Sequence, residues 1–251
     1  MNQVILWKDM ILFWGSNEKA ISEHRHPTIQ LVLATDNSFT SQNGKGEWIE
    51  KKGLLIAPNY SHKCNAKNIP ILTLDIDPES ILGEWIAKHL LNGKKSIDFT
   101  PKSIDFKAIA ELLAQQKWED LRTIVEGVFL FRNEYESALK DNRIETVIDF
   151  IVHNINEPLT SKNLSQVACL SESRLLHLFK EKMGLPIRNY ILWIRIKMVI
   201  MEITKGNSLT KASFEAGFSD QAHMTRTFIK VIGLPPSTFS KNSKFVQVFI
   251  P

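Results

Sequence analysis

Two sets of residues in this 251-residue chain have side chains suited to chemistry rather than to packing. The first lies near the N-terminus. His24 and His26 are spaced by one residue ahead of the apolar run Ile29–Ala34, and His62 and Cys64 follow Gly53 and Pro58. Imidazoles carry protons, bind metals or hydrogen-bond a small molecule. With Trp48, these three would line a small-molecule pocket, His62 near its mouth. The simpler alternative is three surface or hydrogen-bonded histidines. A thiol beside an imidazole raises nucleophilic chemistry, but no Asp or Asn is placed to orient the pair. Cys64 therefore reads as an ordinary buried thiol, and no catalytic residue is assigned. The second set lies near the C-terminus and includes Gln221 and Arg226. Arg pairs with guanine O6/N7 and Gln with adenine N6/N7, each worth about 1–3 kcal/mol of discrimination.

The elements that must position these residues change character along the chain. From Ile5 to about Asp77, short apolar runs such as Ile29–Ala34, Leu54–Ala57 and Ile71–Ile76 are cut by Asp36-Asn37, Asn43-Gly44 and Pro58-Asn59. Short strands at such spacing predict a small β-barrel or sandwich. After Pro78 the spacing turns helical, in Ile81–Leu91, Phe106–Leu113 and Trp118–Leu139. The last of these presents Leu121, Val125, Val128 and Phe129 on one face, to be buried against the barrel or a second subunit. The polar stretch 140–142 is the predicted linker, and the remainder, 143–251, reads as helix.

Within that remainder, two segments repeat one plan. Thr160 or Ser161 caps a short helix with Leu164, Val167 and Ala168 on its apolar face; Cys169-Leu170 turn, and Ser171 caps a second helix ending before Gly184. Ser208 caps a matching helix; Gly217 supplies the turn, Phe218 plugs it, and Ser219 is the expected cap of a helix ending before Gly233. Helix, short turn and capped second helix form the unit that lays its second helix in the major groove. The run Ile187–Thr204 between them would span about 27 Å as a helix. That suits two readers set in successive groove faces about 34 Å apart. Charge agrees: 143–251 holds 14 Lys and Arg against 8 Asp and Glu, for +6, while 1–142 holds 17 against 19, for −2.

The stretch Arg143–Phe239, about two-fifths of the chain, resembles the DNA-binding domain of the AraC/XylS transcription regulators. Carrying the resemblance are Glu157-Pro-Leu-Thr160, Leu170-Ser-Glu-Ser-Arg-Leu175, Gly184, Tyr190, Gly217-Phe-Ser-Asp-Gln221, His223, Arg226, Gly233 and Pro235-Pro-Ser237. It implies that Ser173, Leu176 and His177 of the first recognition helix, and Gln221, Ala222, Thr225 and Arg226 of the second, face base edges. Lys180, Lys211 and Lys230 are assigned to phosphates, which fix register without reading sequence. Arg195, mid-rod among apolar residues, is expected to be an intradomain ion-pair partner. The pattern departs at Ala212-Ser213, at Phe239-Ser240 and at His177, where Arg is common.

The N-terminal histidines resemble the two cupin motifs, in which two His, a Glu and a further His converge on a metal inside a barrel. That set would suit Fe, Mn or Zn. Gln30 stands where the motif expects Glu, so no metal and no cofactor are expected. The chain is thus read as a cupin-like sensing and dimerisation domain over 1–139, mainly β and followed by helices, joined to an all-α double helix-turn-helix. Its partners would be double-stranded DNA, a small-molecule effector and RNA polymerase, with a homodimer as a further possibility and activation as the expected outcome. The competing reading is a metal-dependent cupin enzyme with an accessory DNA-binding domain. Two cysteines in different domains exclude a disulfide framework. The N-terminus lacks a signal-peptide pattern, and no window approaches a membrane span, so a cytoplasmic location is expected.

Overall fold

The computed structural model describes residues 2–18, 21, 23–130, 141–240, 243 and 245–251. Its first half is built on alternation. The strands are β1 (Asn2–Leu6), β2 (Met10–Gly15), β3 (Ile29–Ala34), β4 (Phe39–Gln42), β5 (Trp48–Lys51), β6 (Gly53–Ile56), β7 (Cys64–Asn65), β8 (Ile71–Ile76), β9 (Ser96–Asp98) and β10 (Val246–Phe249). A large sheet runs β10-β1-β2-β8-β3-β6-β9 and a small one β5-β4-β7. In β8, Leu72, Leu74 and Ile76 point outward into a core shared with helices, while Ile71, Thr73 and Asp75 point into the barrel. β3 has apolar neighbours on both faces, which is why its sequence is a nearly continuous apolar run.

The outer face is covered by α1 (Ile81–Ile86, extended by a π turn to Leu91), α2 (Phe106–Gln115) and α3 (Trp118–Gly127). Ser80 and Asp105 cap the first two, accepting from the amides of Gly83 and Ala108. Leu121, Val125, Val128 and Phe129 are buried in this core, so the apolar face of α3 is used within the chain and is not open to a second copy. Arg122 adds a bidentate bond to Asp9, both contacts 2.9 Å. The helix ends at Gly127, short of the expected Leu139; residues 131–139 lie outside the described residues.

The second half comprises α4 (Asn142–His153), α5 (Ser161–Val167), α6 (Glu172–Met183), α7 (Ile187–Thr204), α8 (Leu209–Glu215) and α9 (Gln221–Ile232). Asp141 caps α4, accepting from the amide of Arg143, and the adjacent guanidinium pulls its carboxyl down to about 2. The first helix-turn-helix has its own core, with Leu164, Leu175, Leu178, Phe179 and Tyr190. The second does not. Ala212, Met224, Phe228 and Phe239 share one apolar cluster with Val4, Leu6 and Ile11 of the large sheet. The tail then departs from the all-helical expectation: β10 lies parallel to β1, Val246 opposite Asn2 and Phe249 opposite Ile5. The alternating Val-Gln-Val-Phe pattern explains the strand, and the unpaired edge of β1 explains its place.

A buried polar lock reinforces this seam. Asp77, 4% exposed at the end of β8, accepts from Trp193 Nε1 at 2.7 Å and from Lys197 Nζ at 2.6 Å, and Lys197 also donates to the Lys8 carbonyl. Beside it, burial and the Asp77 charge push the Glu79 carboxyl up to about 8. The folded state therefore keeps a proton that the unfolded chain releases near pH 4.5, and stability present below that pH is lost as pH rises through about 8. Above the range in which His26 and His62 titrate in the unfolded chain, thermal unfolding should show Tm falling between about pH 7 and pH 8, and Glu79→Gln should flatten that slope. An unchanged slope would place the titration elsewhere.

Candidate nucleic-acid interface and internal cavity

Each helix-turn-helix unit is fixed by the caps of both its helices. Thr160, Ser171 and Ser208 accept from the amides of Asn163, Arg174 and Lys211, as their spacing predicts. Ser219 does not cap α9. Asp220 does, accepting from the His223 amide at 2.7 Å, and Ser219 instead donates to the Asp220 carboxylate. The second turn is one residue longer, running 216–220 between helices where the first runs 168–171, and this moves the cap by one position. Both turns need a positive φ, +52° at Cys169 and +72° at Gly217, and both recognition helices end on left-handed glycines, Gly184 and Gly233.

On α6, Ser173, Leu176, His177 and Lys180 are all exposed, with Leu176 43% exposed against a buried Leu175. On α9, Gln221, Ala222, Arg226 and Lys230 are exposed and Thr225 is half-buried. The Gln221 side-chain carbonyl accepts from Thr210 at 2.7 Å, so reading adenine with both amide atoms requires that bond to open. Ser161 and Glu172 make the corresponding contact in the first unit. Arg195 has no carboxylate partner among the described residues. It donates to the Glu157 carbonyl and lies 5.9 Å from the Phe218 ring, tying the two units together; the expected ion pair is replaced by a carbonyl and an aromatic face. Leu176, Arg188, Arg195 and Lys230 line a groove of about 620 Å³ closed on the far side by Arg25 and Asn59 of the barrel.

The N-terminal site is internal. A two-way backbone pair, His24 N to His62 O and His62 N to His24 O, each 3.1 Å, zips two loops together at the mouth of the barrel. His24, His26 and His62 are all buried, and their ligand nitrogens lie within 4.8 Å of one another. Burial, with the neighbouring imidazoles, lowers His26 to about 4 and His62 to about 3, so both are neutral at pH 7. Thr28 and Gln30 donate to Asp75 Oδ1, whose carboxyl burial raises to about 6. Burial likewise raises the Cys64 thiol.

His24, His62, Gln30 and Asp75 form the polar end of a cavity of about 100 Å³. Its apolar end comes from Val4, Ile11 and Phe13 of the barrel and from Ile200, Ile232, Leu234 and Phe239 of the helical half. Of the expected pocket residues, His24 and His62 line this cavity, while His26 sits beside them in the histidine cluster but not in the lining. Trp48 is in neither: it is 45% exposed on β5 beneath the Lys63 ammonium, because β5 is the outer strand of the small sheet. Asp75 and Thr73 were findable from the period-two pattern of β8. Ile200 and Ile232 were not, since apolar positions on a helix read simply as core.

A helix-turn-helix domain profile matches residues 164–242. The chain is 21% identical to an uncharacterised helix-turn-helix transcriptional regulator of Bacillus subtilis, YdeC, covering 87% of this chain and 85% of that one. It is 23% identical to a probable transcriptional regulator of Photobacterium leiognathi, LumQ, covering 88% and 93%. The fold matches that of ToxT from Vibrio cholerae in a crystal structure with a bound unsaturated fatty acid, with a TM-score of 0.60 and 15% identity, over 92% of this chain and 95% of that one.

Proposed function

We infer that this chain, an AraC-type helix-turn-helix transcription regulator, reads DNA through α6 and α9 and is controlled by a small effector held in the cavity between barrel and second reader. The observation that carries the control step is the lining. Ile232 and Leu234 flank Gly233, the C-cap of α9, while Val4, Phe13, His24 and His62 come from the barrel. A ligand there touches both halves, and binds one relative placement of them better than another. At about 100 Å³ the cavity is below the usual range for drug-sized ligands. The effector on this reading is small and mainly apolar, with one polar end toward His24 and His62.

Double-stranded DNA and, at the promoter, RNA polymerase are the macromolecular partners of this reading. Two readers in one chain make a two-groove contact possible without a homodimer. No helix among the described residues is long and apolar enough to cross a membrane, which is compatible with the cytoplasmic location we propose. Regulation, rather than catalysis, is the activity assigned.

In-vitro selection from a random DNA pool at stated salt should enrich two short blocks about one helical turn apart. Arg226→Ala should then weaken the selected site about 10- to 100-fold, while nonspecific affinity changes far less. Equal losses on both would move Arg226 to the phosphate contacts. No enrichment by a folded chain, with or without extracts containing effector, would overturn the reading.

A further inference from the structure

The three histidines are held in a way that pocket lining does not require. His26 Nδ1 contacts the Thr28 carbonyl at 3.1 Å and His62 Nδ1 the Tyr60 carbonyl at 3.0 Å. A carbonyl only accepts, so each Nδ1 carries the proton and each Nε2 carries the lone pair. Thr28 Oγ1, also 2.9 Å from His26 Nδ1, gives its own proton to Asp75 and so agrees with that tautomer. Both Nε2 atoms are buried without a hydrogen-bond partner, in residues only 3% and 5% exposed. Two orphaned buried acceptors in one cluster are costly unless something occupies them. The ring centroids lie 4.4 Å apart for His24 and His62, and 4.9 Å apart for His26 and His62. An imidazole tied to a carbonyl by one nitrogen, with the other left without a protein partner beside neighbouring imidazoles, is the arrangement by which proteins orient metal ligands.

We propose that His24, His26 and His62 form a three-imidazole site for a divalent transition-metal ion of the zinc class, its open position facing the cavity. Metal–nitrogen bonds of 2.0–2.1 Å place tetrahedral ligands about 3.3 Å apart, so ligand atoms within 4.8 Å need close by only about 1–1.5 Å. Gln30 in place of a carboxylate changes which ion fits, not whether one fits. Neutral nitrogen donors favour Zn²⁺, Co²⁺, Ni²⁺ or Cu²⁺ over oxygen-seeking Mg²⁺, Ca²⁺ or Mn²⁺. Asp75 stays outside the ligand set: its Oδ1 is 3.9 Å from the protonated Nδ1 of His26 and is engaged by Thr28 and Gln30. His24 and His62 line the cavity, so a polar or anionic group of an effector would complete the coordination. A side chain at Gly233 would come within 4.0 Å of the His24 ring, which puts the ion beside the end of α9. Only that coupling rests on the regulatory reading; the site stands on its own geometry.

The test uses the full chain, stripped with a chelator and free of any affinity tag. Titration with Co²⁺ followed by visible absorption, and with Zn²⁺ in competition with a chromophoric chelator, should show about one ion per chain, with four-coordinate cobalt bands and a Kd below about 1 μM. His26→Ala and His62→Ala should each weaken binding at least about 100-fold, while His153→Ala, at an exposed position, should not. Circular dichroism checks folding, and His26→Gln and His62→Gln stand in if an alanine variant fails to fold. Absence of binding tighter than about 100 μM by folded wild type would overturn the site, as would affinity that survives the His26 and His62 changes. DNA selection on the same preparation separates the two conclusions. Selection without metal binding removes the site alone, and metal binding without selection removes the regulatory function alone.

Discussion

Lys197→Ala should cost about 3–5 kcal/mol in urea unfolding, far more than a surface lysine. The ammonium is 2.6 Å from Asp77, and the two side chains are only 12% and 6% exposed. Removing it leaves a carboxylate facing Trp193 Nε1 alone, with the Glu79 carboxyl beside it. The Lys8 carbonyl in the β1–β2 turn loses its donor as well. The double change Lys197→Met with Asp77→Asn should recover most of the loss, because it is the unpaired charge, more than the missing attraction, that is expensive. A loss below about 1 kcal/mol for Lys197→Ala would mean that water reaches this seam and solvates Asp77.

The other large effect is expected at Gly217. Its φ of +72° already penalises a side chain by about 1–2 kcal/mol. An added Cβ would also sit 2.2 Å from the Ile155 carbonyl oxygen, a main-chain atom in the turn after α4, ahead of the first unit, that cannot swing aside. Gly217→Ala should therefore cost about 3 kcal/mol or more and depress DNA binding with it, since Phe218 and Arg195 pack at the same junction. Cys169 shows that backbone conformation alone is tolerable: it holds φ +52° with a side chain, in an exposed turn. Near-normal stability for the Gly217 variant would mean that the two units can separate slightly at little expense.

Much of this architecture is legible in the residues because it depends on local chemistry. Ser171, Ser208 and Thr160 announce helix starts through their hydroxyls, and Gly184 and Gly233 announce ends through their φ. The cap of α9 is misread because one extra residue in a turn leaves no trace in residue type, and Ser219 and Asp220 are both good caps. Trp48 is misread because an aromatic in a strand suggests burial, whereas its strand lies at the edge of the small sheet. Long-range closure is the least visible. That Val246–Phe249 joins the first strand, and that Val4 and Met224 share a core, follows from which edges and faces were left open by everything else. The histidine cluster lies between these cases. Its members are conspicuous, but the carbonyls that set their tautomers belong to Thr28 and Tyr60, where main chain rather than residue type acts.

The two readers are not wired to the barrel alike. Among the described residues the second shares a hydrophobic core with the sheet, while the first has a core of its own and meets the barrel through α7 across an open groove. The arrangement is a series circuit rather than a parallel one. A displacement at the cavity arrives at the second reader directly. It reaches the first only after passing along α7 or through the junction where Gly217 lies against Ile155. On the proposed regulatory reading, the half of an operator facing α9 is where a stimulus would be felt first, and the half facing α6 would inherit whatever the intervening rod transmits.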